Sequence, residues 1–311
     1  MVMDALVSVI IPTHKGHDII SRAVDSVIKQ TYKKIEIIVV DDNGLGSDEQ
    51  QKTRAAIADY IDSGCVKYIP HEINKNGSAA RNTGVRESKG KYITLLDDDD
   101  IYYPNKVEDE VNCLESLPED YGLVYCSIDL NYGDCTRTKH AIKSGTLLKE
   151  LLYHSLVIGS DTLMVRKKSY EEIGGFDESF RRHQDFEFTA RMASKWKIKA
   201  IDKVGVLSYE IGRNIPRSKD LALEYRHHYI KKMMPLIETL PLISKRQVIS
   251  SNFVMLYGPE LRGLKLKNTY LNCKNASERY MKHYTLFTFL LSIVVIEKNK
   301  LFNKIRNELS S

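Results

Sequence analysis
The 311-residue sequence predicts an α/β fold, a mostly parallel sheet flanked by helices, with a helical C-terminal extension. Three observations predict it. Nearly continuous Ile/Val runs alternate with helix-period segments over the first two-thirds of the chain. Several of these runs end in acidic or polar residues. Beyond about residue 216, basic, Tyr-rich sequence of helical pattern takes over. Strands that are apolar along their whole length are covered on both faces, which is the mark of a parallel sheet between helices.

The first strand is VSVIIPT (7–13). Ile19, Ile20, Ala23, Val24, Val27 and Ile28 then recur at helical spacing, and IEIIVVDD (35–42) completes a βαβ unit. VKYIPH (66–71), YITLLDD (92–98) and GLVYCSI (122–128) supply further strands. In open sheets of this kind, ligands bind beyond the carboxyl ends of the strands. Pro12 and Thr13 close the first strand, Asp41 and Asp42 the second, and Asp97, Asp98, Asp99 and Asp100 follow the fourth. Three strand ends are therefore expected to meet at one site.

Composition narrows the class. Hydrophobic residues make up 42% and charged residues 28% of the chain. The mean hydropathy is −0.33. A chain of this kind buries a full core and is not disordered. Cys65, Cys113, Cys126, Cys135 and Cys273 form no CxxC pair, are odd in number and have no His cluster beside them, so neither a zinc site nor a disulfide framework is indicated and a reducing cytoplasm fits best. The N-terminal MVMDALVSVIIPTHKG has no basic segment before its apolar run and no small-residue cleavage site after it, so it reads as a strand.

Charge is unevenly spread: residues 217–311 carry 17 Lys and Arg against 7 Asp and Glu, leaving 29 against 34 for the rest. We expect a body over 1–215 and a basic helical extension over 216–311. The most apolar stretch, YTLFTFLLSIVVI (284–296), falls short of the ~20 residues that span a bilayer. After it, Leu301, Phe302, Ile305 and Leu309 share one helical face opposite Lys298, Lys300, Lys304 and Arg306. The extension is expected on an anionic membrane surface, at the inner face of the cell membrane, or against a second subunit or the body. No nucleic-acid motif accompanies its charge, which disfavours that partner.

Four consecutive carboxylates repel unless a cation sits among them. In an extended segment Asp97 and Asp99 would share one face and Asp98 and Asp100 the other. A hard divalent ion that also binds substrate phosphates needs only one or two such ligands, which suits Mg²⁺ or Mn²⁺ at a nucleotide site. The alternative is a cluster of acidic caps before a helix starting near Pro104. In VVDDNG (39–44) an Asp is placed to accept a hydrogen bond from a base or ribose. NKNGSAARNTG (74–84) is a polar loop entering a helix, with Arg81 one turn in. In HQDFEF (183–188), Asp185 and Glu187 lie among aromatic rings. A carboxylate there is partly desolvated and suits a general base, and on a helix only one of the two can face the cleft.

VSVIIPTHKG, AVDSVIKQTYKKIEIIVVDDNG, GSAARNTGVRESKGKYITLLDDDDIYYPNKV and GGFDESFRRHQDFEF, in that order, resemble the family 2 glycosyltransferases of GT-A fold over residues 6–215. The resemblance implies that Pro12, Thr13, Asp41, Asp42, Arg81, Asp97 and Asp98 bind the nucleotide sugar, with Thr13 and Asp42 at base and ribose and Arg81 at the base. It implies that Asp99 ligates the metal, Mn²⁺ or Mg²⁺, and that Asp185 is the catalytic base. It further implies an inverting transfer from a nucleotide sugar, UDP-hexose foremost, to a glycan or lipid-linked oligosaccharide acceptor in capsule, O-antigen or other surface-polysaccharide synthesis. Gln184 stands where the family usually has Glu, and LSYEIGRNIPRS (207–218) lacks a histidine often found there, with Arg213 as a candidate substitute. IPTHKGHD has no G-x-G-x-x-G, which argues against a dehydrogenase. A non-catalytic sugar- or nucleotide-binding scaffold is the alternative reading, and the presence of Asp185 argues against it.

Overall fold
The structure is a computed structural model that describes residues 5–209, 219–249 and 251–252. The chain divides into two compact units, one of Met1–Leu148 with Val157–Ile215, the other of Lys149–Leu156 with Pro216–Ser311.

The first unit runs β1 (Val7–Thr13), α1 (Ile20–Ile28), β2 (Ile35–Asp41), α2 (Asp48–Ala56), α3 (Ala58–Asp62), β3 (Val66–Pro70), α4 (Gly77–Arg86), β4 (Tyr92–Leu95) and β5 (Ile101–Tyr102). It continues with α5 (Lys106–Ser116), β6 (Tyr121–Asn131) and β7 (Thr136–Lys139). After α6 (Leu148–Leu152), which leads into the second unit, come a 3₁₀ turn at Ser160–Thr162, β8 (Leu163–Arg166), α7 (Lys167–Glu172), α8 (Gln184–Lys195) and β9 (Lys197–Tyr209).

The sheet order is β3-β2-β1-β4-β8-β6-β9-β5, with β7 beside β6. The long ladders are parallel: β1 pairs with β2 from Val7↔Ile35 to Thr13↔Asp41, and β6 pairs with β9 along most of its length. Antiparallel pairings involve four residues or fewer on each strand. β1 and β4 are buried throughout because helices cover both faces. On one face Val7, Val9 and Ile11 pack with Ile20, Ala23, Val24 and Val27 of α1 and Val107, Val111 and Leu114 of α5. Ile28, on the predicted apolar face of α1, is instead 43% exposed because it ends the helix beyond the sheet contact.

On the other face α4 lies so close to β1 that a Cβ on Gly84 would stand 2.2 Å from Ile10 Cγ2. Gly84→Ala is therefore expected to overpack this contact and cost about 1–3 kcal/mol, read as a lower urea midpoint with an unchanged m-value. An unchanged midpoint would show that the helix moves freely over the sheet.

A buried ion pair lies between the sheet and α5. Lys106 Nζ is 2.7 Å from Glu110 Oε2, donates to Thr94 Oγ1 at 2.7 Å and sits 4.2 Å from the centre of the Tyr102 ring. Burial nonetheless pushes the Glu110 carboxyl up to about 7.

In the second unit, Asn252 Nδ2 donates to Leu152 O at 3.1 Å and to Val248 O at 2.9 Å, and the His154 ring lies 5.3 Å from that of Tyr229. α9 (Lys219–Glu238) is its longest described helix. Among the described residues no helix is long and apolar enough to cross a membrane. The apolar run at 284–296, the amphipathic stretch after it and Arg213 lie outside the described residues.

Candidate active site
The carboxyl ends of β1, β2 and β4 lie side by side, and β8, running antiparallel to β4, brings its amino end to the same edge. Thr13 and Asp41 end their strands, Asp42 follows Asp41, and Pro12 is buried within β1 opposite Val40.

At the β2 end, protein donors surround both carboxylates. Asp41 accepts from Asn43 N (2.9 Å), Asn43 Nδ2 (2.8 Å) and Tyr68 OH (2.7 Å). Asp42 accepts from Lys75 N and Asn76 N, each at 2.8 Å, and lies 2.7 Å from Nδ1 of buried His71. A carboxylate cannot donate, so His71 Nδ1 carries the hydrogen, and Nε2 faces Thr83 Oγ1 at 3.0 Å. Asp42 thereby fixes the loop that leads into α4. Both aspartates are buried, and these bonds fill most of their lone-pair sites.

The aspartate run is not extended. β4 ends at Leu95, and residues 98 and 99 form a turn closed by Asp100 N donating to Asp97 O at 3.2 Å. The alternating faces expected of a strand are therefore replaced by a fan. Asp97 meets Arg81 Nη2 at 2.6 Å, Asp98 accepts from Thr13 Oγ1 at 2.5 Å, and Asp100 turns inward to Tyr209 N at 3.2 Å and the Ser208 hydroxyl. Asp99 is half-buried at the turn. Space for Asp98 depends on Gly16, where a Cβ would lie 1.9 Å from Asp98 Oδ2. Nor are the aspartates helix caps: α5 starts at Lys106 behind Asn105, which makes no side-chain cap bond.

Two residues that the sequence reading missed complete the cluster. Asp161 Oδ1 accepts from Asp97 N at 2.7 Å, and its carboxyl bonds that of Asp100. Ser160 donates to Asp185 from its side chain and its backbone. SDT before an apolar run reads as an ordinary turn, and only the antiparallel direction of β8 puts it beside the aspartates.

Asp185 occupies the first turn of α8, behind His183 in the left-handed region at φ 63°. Glu187 points away: it is buried and paired with Arg191, which also donates to Ile173 O at 2.6 Å and Gly175 O at 2.7 Å. Burial raises the Asp185 pKa above its ordinary value, opposed by the charge of Arg81 and reinforced by that of Asp97. Arg81, itself buried, donates from Nη1 to Gln184 Oε1 at 2.8 Å and from Nη2 to Asp97. Its Nε has no hydrogen-bond partner among the described residues.

Burial and the charges of Asp97 and Asp99 push Asp100 up to about 7, and burial raises Asp161 as well, so the pair retains a proton near neutrality. A carboxyl raised in the folded state binds more protons than in the unfolded chain. Its stabilising contribution is full below about pH 4 and is lost as pH rises through about 7. For Asp100 this amounts to about 4 kcal/mol, and Glu110 acts in the same direction. Metal-free protein should therefore show a lower urea midpoint at pH 8 than at pH 5.5, with part of the slope removed by Asp100→Asn. Equal midpoints would contradict the raised values.

Asp97, Asp161 and Asp185 act on the charge of Arg81, and Asp98, Asp99 and Asp100 follow Asp97 on the same turn. This excess of hard oxygen donors fits Mg²⁺ or Mn²⁺. Among the described residues no three or more His, Cys, Asp or Glu are grouped as a complete ligand set. The fit is thus to an ion held by one or two carboxylates, with water and substrate phosphate supplying the remaining ligands, and Asp99 is the candidate carboxylate.

The family model described as Glycosyl transferase family 2 matches residues 8–174. An uncharacterized glycosyltransferase of Rickettsia prowazekii is 37% identical over 189 residues, 58% of this chain and 57% of that protein. The UDP-Glc:alpha-D-GlcNAc-diphosphoundecaprenol beta-1,3-glucosyltransferase WfgD of Escherichia coli is 36% identical over 111 residues, 36% of this chain and 42% of that protein. The chain thus spans little more than half the length of the first relative and less than half that of the second.

Among solved structures, S. aureus TarS 1–349 aligns with a TM-score of 0.65 at 16% identity, covering 96% of this chain and 92% of that one, and it has also been solved with UDP-GlcNAc. The mannosyltransferase PcManGT from Pyrobaculum calidifontis, in complex with GDP-Man and Mn²⁺, aligns with a TM-score of 0.57 at 16% identity over 97% of this chain and 89% of that one. At such identities the likeness is one of fold, the GT-A fold.

Proposed function
The chain belongs to glycosyl transferase family 2, and we propose that it is an inverting hexosyltransferase. Its donor in this reading is a nucleotide-diphosphate sugar, UDP-hexose foremost. Its acceptor is a glycan hydroxyl on a lipid carrier, in assembly of a bacterial surface polysaccharide. One observation carries the reading: Asp185, partly buried with a raised pKa, and Asp97 of the Asp97–Asp100 turn act on the same buried arginine, Arg81, at the strand ends. The donor in the name of WfgD and the UDP-GlcNAc complex of TarS support a uridine donor, and Mn²⁺ in PcManGT supports a divalent ion.

In this reading Thr13 and Asp98, already hydrogen-bonded to each other, receive the ribose and sugar side of the donor. Asp42 and His71 hold the rigid loop against which the base lies, and Asp41 supports it from the β2 end. Asp99 holds the divalent ion, which when bound neutralises the charge developing on the leaving diphosphate. Asp185 takes the proton from the acceptor hydroxyl as that oxygen attacks the anomeric carbon and the bond to the diphosphate breaks. A single displacement inverts the configuration. The raised pKa brings Asp185 closer to the working pH, where a general base is most effective.

The basic extension beyond residue 216 is the part of the chain proposed to meet an anionic membrane surface or a second subunit. The test is to supply UDP-glucose, UDP-galactose or UDP-GlcNAc with Mn²⁺ and a sugar-diphosphate-lipid acceptor, and to follow the product by mass spectrometry and its anomeric coupling by NMR. Transfer with inversion supports the reading. Neither transfer nor UDP release with any donor overturns it.

A further inference from the structure
Arg81 is held from four sides, and one of its partners, Gln184, stands where the resemblance to the family leads one to expect a glutamate. Nη2 bonds Asp97 at 2.6 Å and Ser160 Oγ at 3.3 Å, the Phe176 ring centre lies 5.5 Å from the guanidinium carbon, and Nη1 bonds Gln184 Oε1 at 2.8 Å. Gln184 uses both ends of its amide, since Nε2 donates to Phe180 O at 2.9 Å. Gly77, the first residue of α4, makes room for this contact: a Cβ there would be 3.1 Å from Arg81 Nη1 and 3.4 Å from Gln184 Oε1. Gln184 also directly precedes Asp185 at the start of α8, where left-handed His183 fixes the direction in which the helix begins.

A glutamate at position 184 would behave differently. It could accept from Arg81 but not donate to Phe180 O, so two oxygens would face each other at hydrogen-bond distance. It would also compete with Asp97 and Asp185 for the charge of Arg81. The neutral amide fixes Arg81 without drawing on its charge.

We propose that Gln184 is a positioning residue: by anchoring Arg81 with a neutral side chain, it keeps the Arg81 guanidinium on Asp97 and Asp185 and so joins the acidic turn to the start of α8. The catalytic meaning of this link rests on the reading of Asp185 as the base, whereas the link itself is a property of the free protein and is measured there.

The test is the titration of Asp185 in the full chain by ¹³C-carboxyl NMR of aspartate-labelled protein, with the resonance assigned by its loss in Asp185→Asn. Gln184→Met keeps the length of the side chain and removes both hydrogen bonds without adding charge. If Gln184 holds Arg81 in place, the Asp185 midpoint rises by half a pH unit or more in Gln184→Met. In an Arg81→Gln background the same substitution then has no further effect. An unchanged midpoint in Gln184→Met overturns the proposal even if Arg81→Gln fails to fold, as does an equal shift with and without Arg81. With an active preparation, Gln184→Met should also lower kcat with little change in donor KM. A wild type that shows the coupling but transfers no sugar would refute the functional reading and leave the link standing.

Discussion

Asp185→Asn is expected to lower kcat by about 10³-fold, within the range spanned by loss of a general base, while nucleotide affinity stays within about twofold of wild type. The two effects separate because Asp185 belongs to α8 and bonds Ser160, whereas the expected base and ribose contacts are at the ends of β1 and β2. Asn preserves the shape and accepts a hydrogen bond from Ser160 but cannot take a proton. The wild-type kcat/KM should fall on the acid side with a midpoint above the ordinary aspartate value, since the base works only when ionised and its folded pKa is raised. An acid limb at the ordinary value would argue that Asp185 is solvated during turnover. A variant with near wild-type kcat would remove it from the chemistry altogether.

Asp99→Asn is expected to reduce kcat/KM by about 10²–10³-fold, the several kcal/mol that a bound divalent ion supplies to a departing phosphate. Unlike the loss at Asp185, it should come with a matching loss of metal-dependent nucleotide binding. Asp97, Asp98 and Asp100 do not replace it, because Asp97 is drawn to Arg81, Asp98 to Thr13 and Asp100 to Tyr209 N. If raising Mn²⁺ restores full activity, the carboxylate is a ligand whose loss lowers affinity alone. If the variant keeps its metal response unchanged, the ion is held elsewhere.

The part of the fold legible in the sequence is the part in which one physical signal dominates. β1, β2, β4 and the first half of β6 were marked by apolar runs, because strands covered on both faces need apolar side chains at nearly every position, whereas β3, at the sheet edge, was marked by Val66, Tyr68 and Ile69 with Lys67 exposed between them. α1 was marked by its helical repeat, apart from Ile28 at its exposed end. β5, with two residues, and β7, with all four of its residues exposed, carry no such signal. Lys149–Leu156 belongs to the second unit although no shift in composition marks it.

At the candidate site the sequence located the aspartates but not their arrangement. Alternation was inferred from a strand that in fact ends at Leu95, so four like charges are spread by a turn and not by a pleat. Asp161, Ser160 and His71 enter through long-range pairing that a linear reading does not contain. Gln184 was noticed only as the loss of a charge; its two hydrogen bonds give that neutrality a physical reason.

The central claim is that the strand ends bind a nucleotide diphosphate together with a divalent ion on Asp99. Titration calorimetry of UDP, GDP and dTDP into wild type and Asp99→Asn, each with and without Mn²⁺, tests it most directly. The account predicts that one nucleotide, UDP, binds wild type only with Mn²⁺ and that this binding is lost in Asp99→Asn. Equal affinity with and without Mn²⁺ in both proteins, or no binding of any of the three, would contradict it.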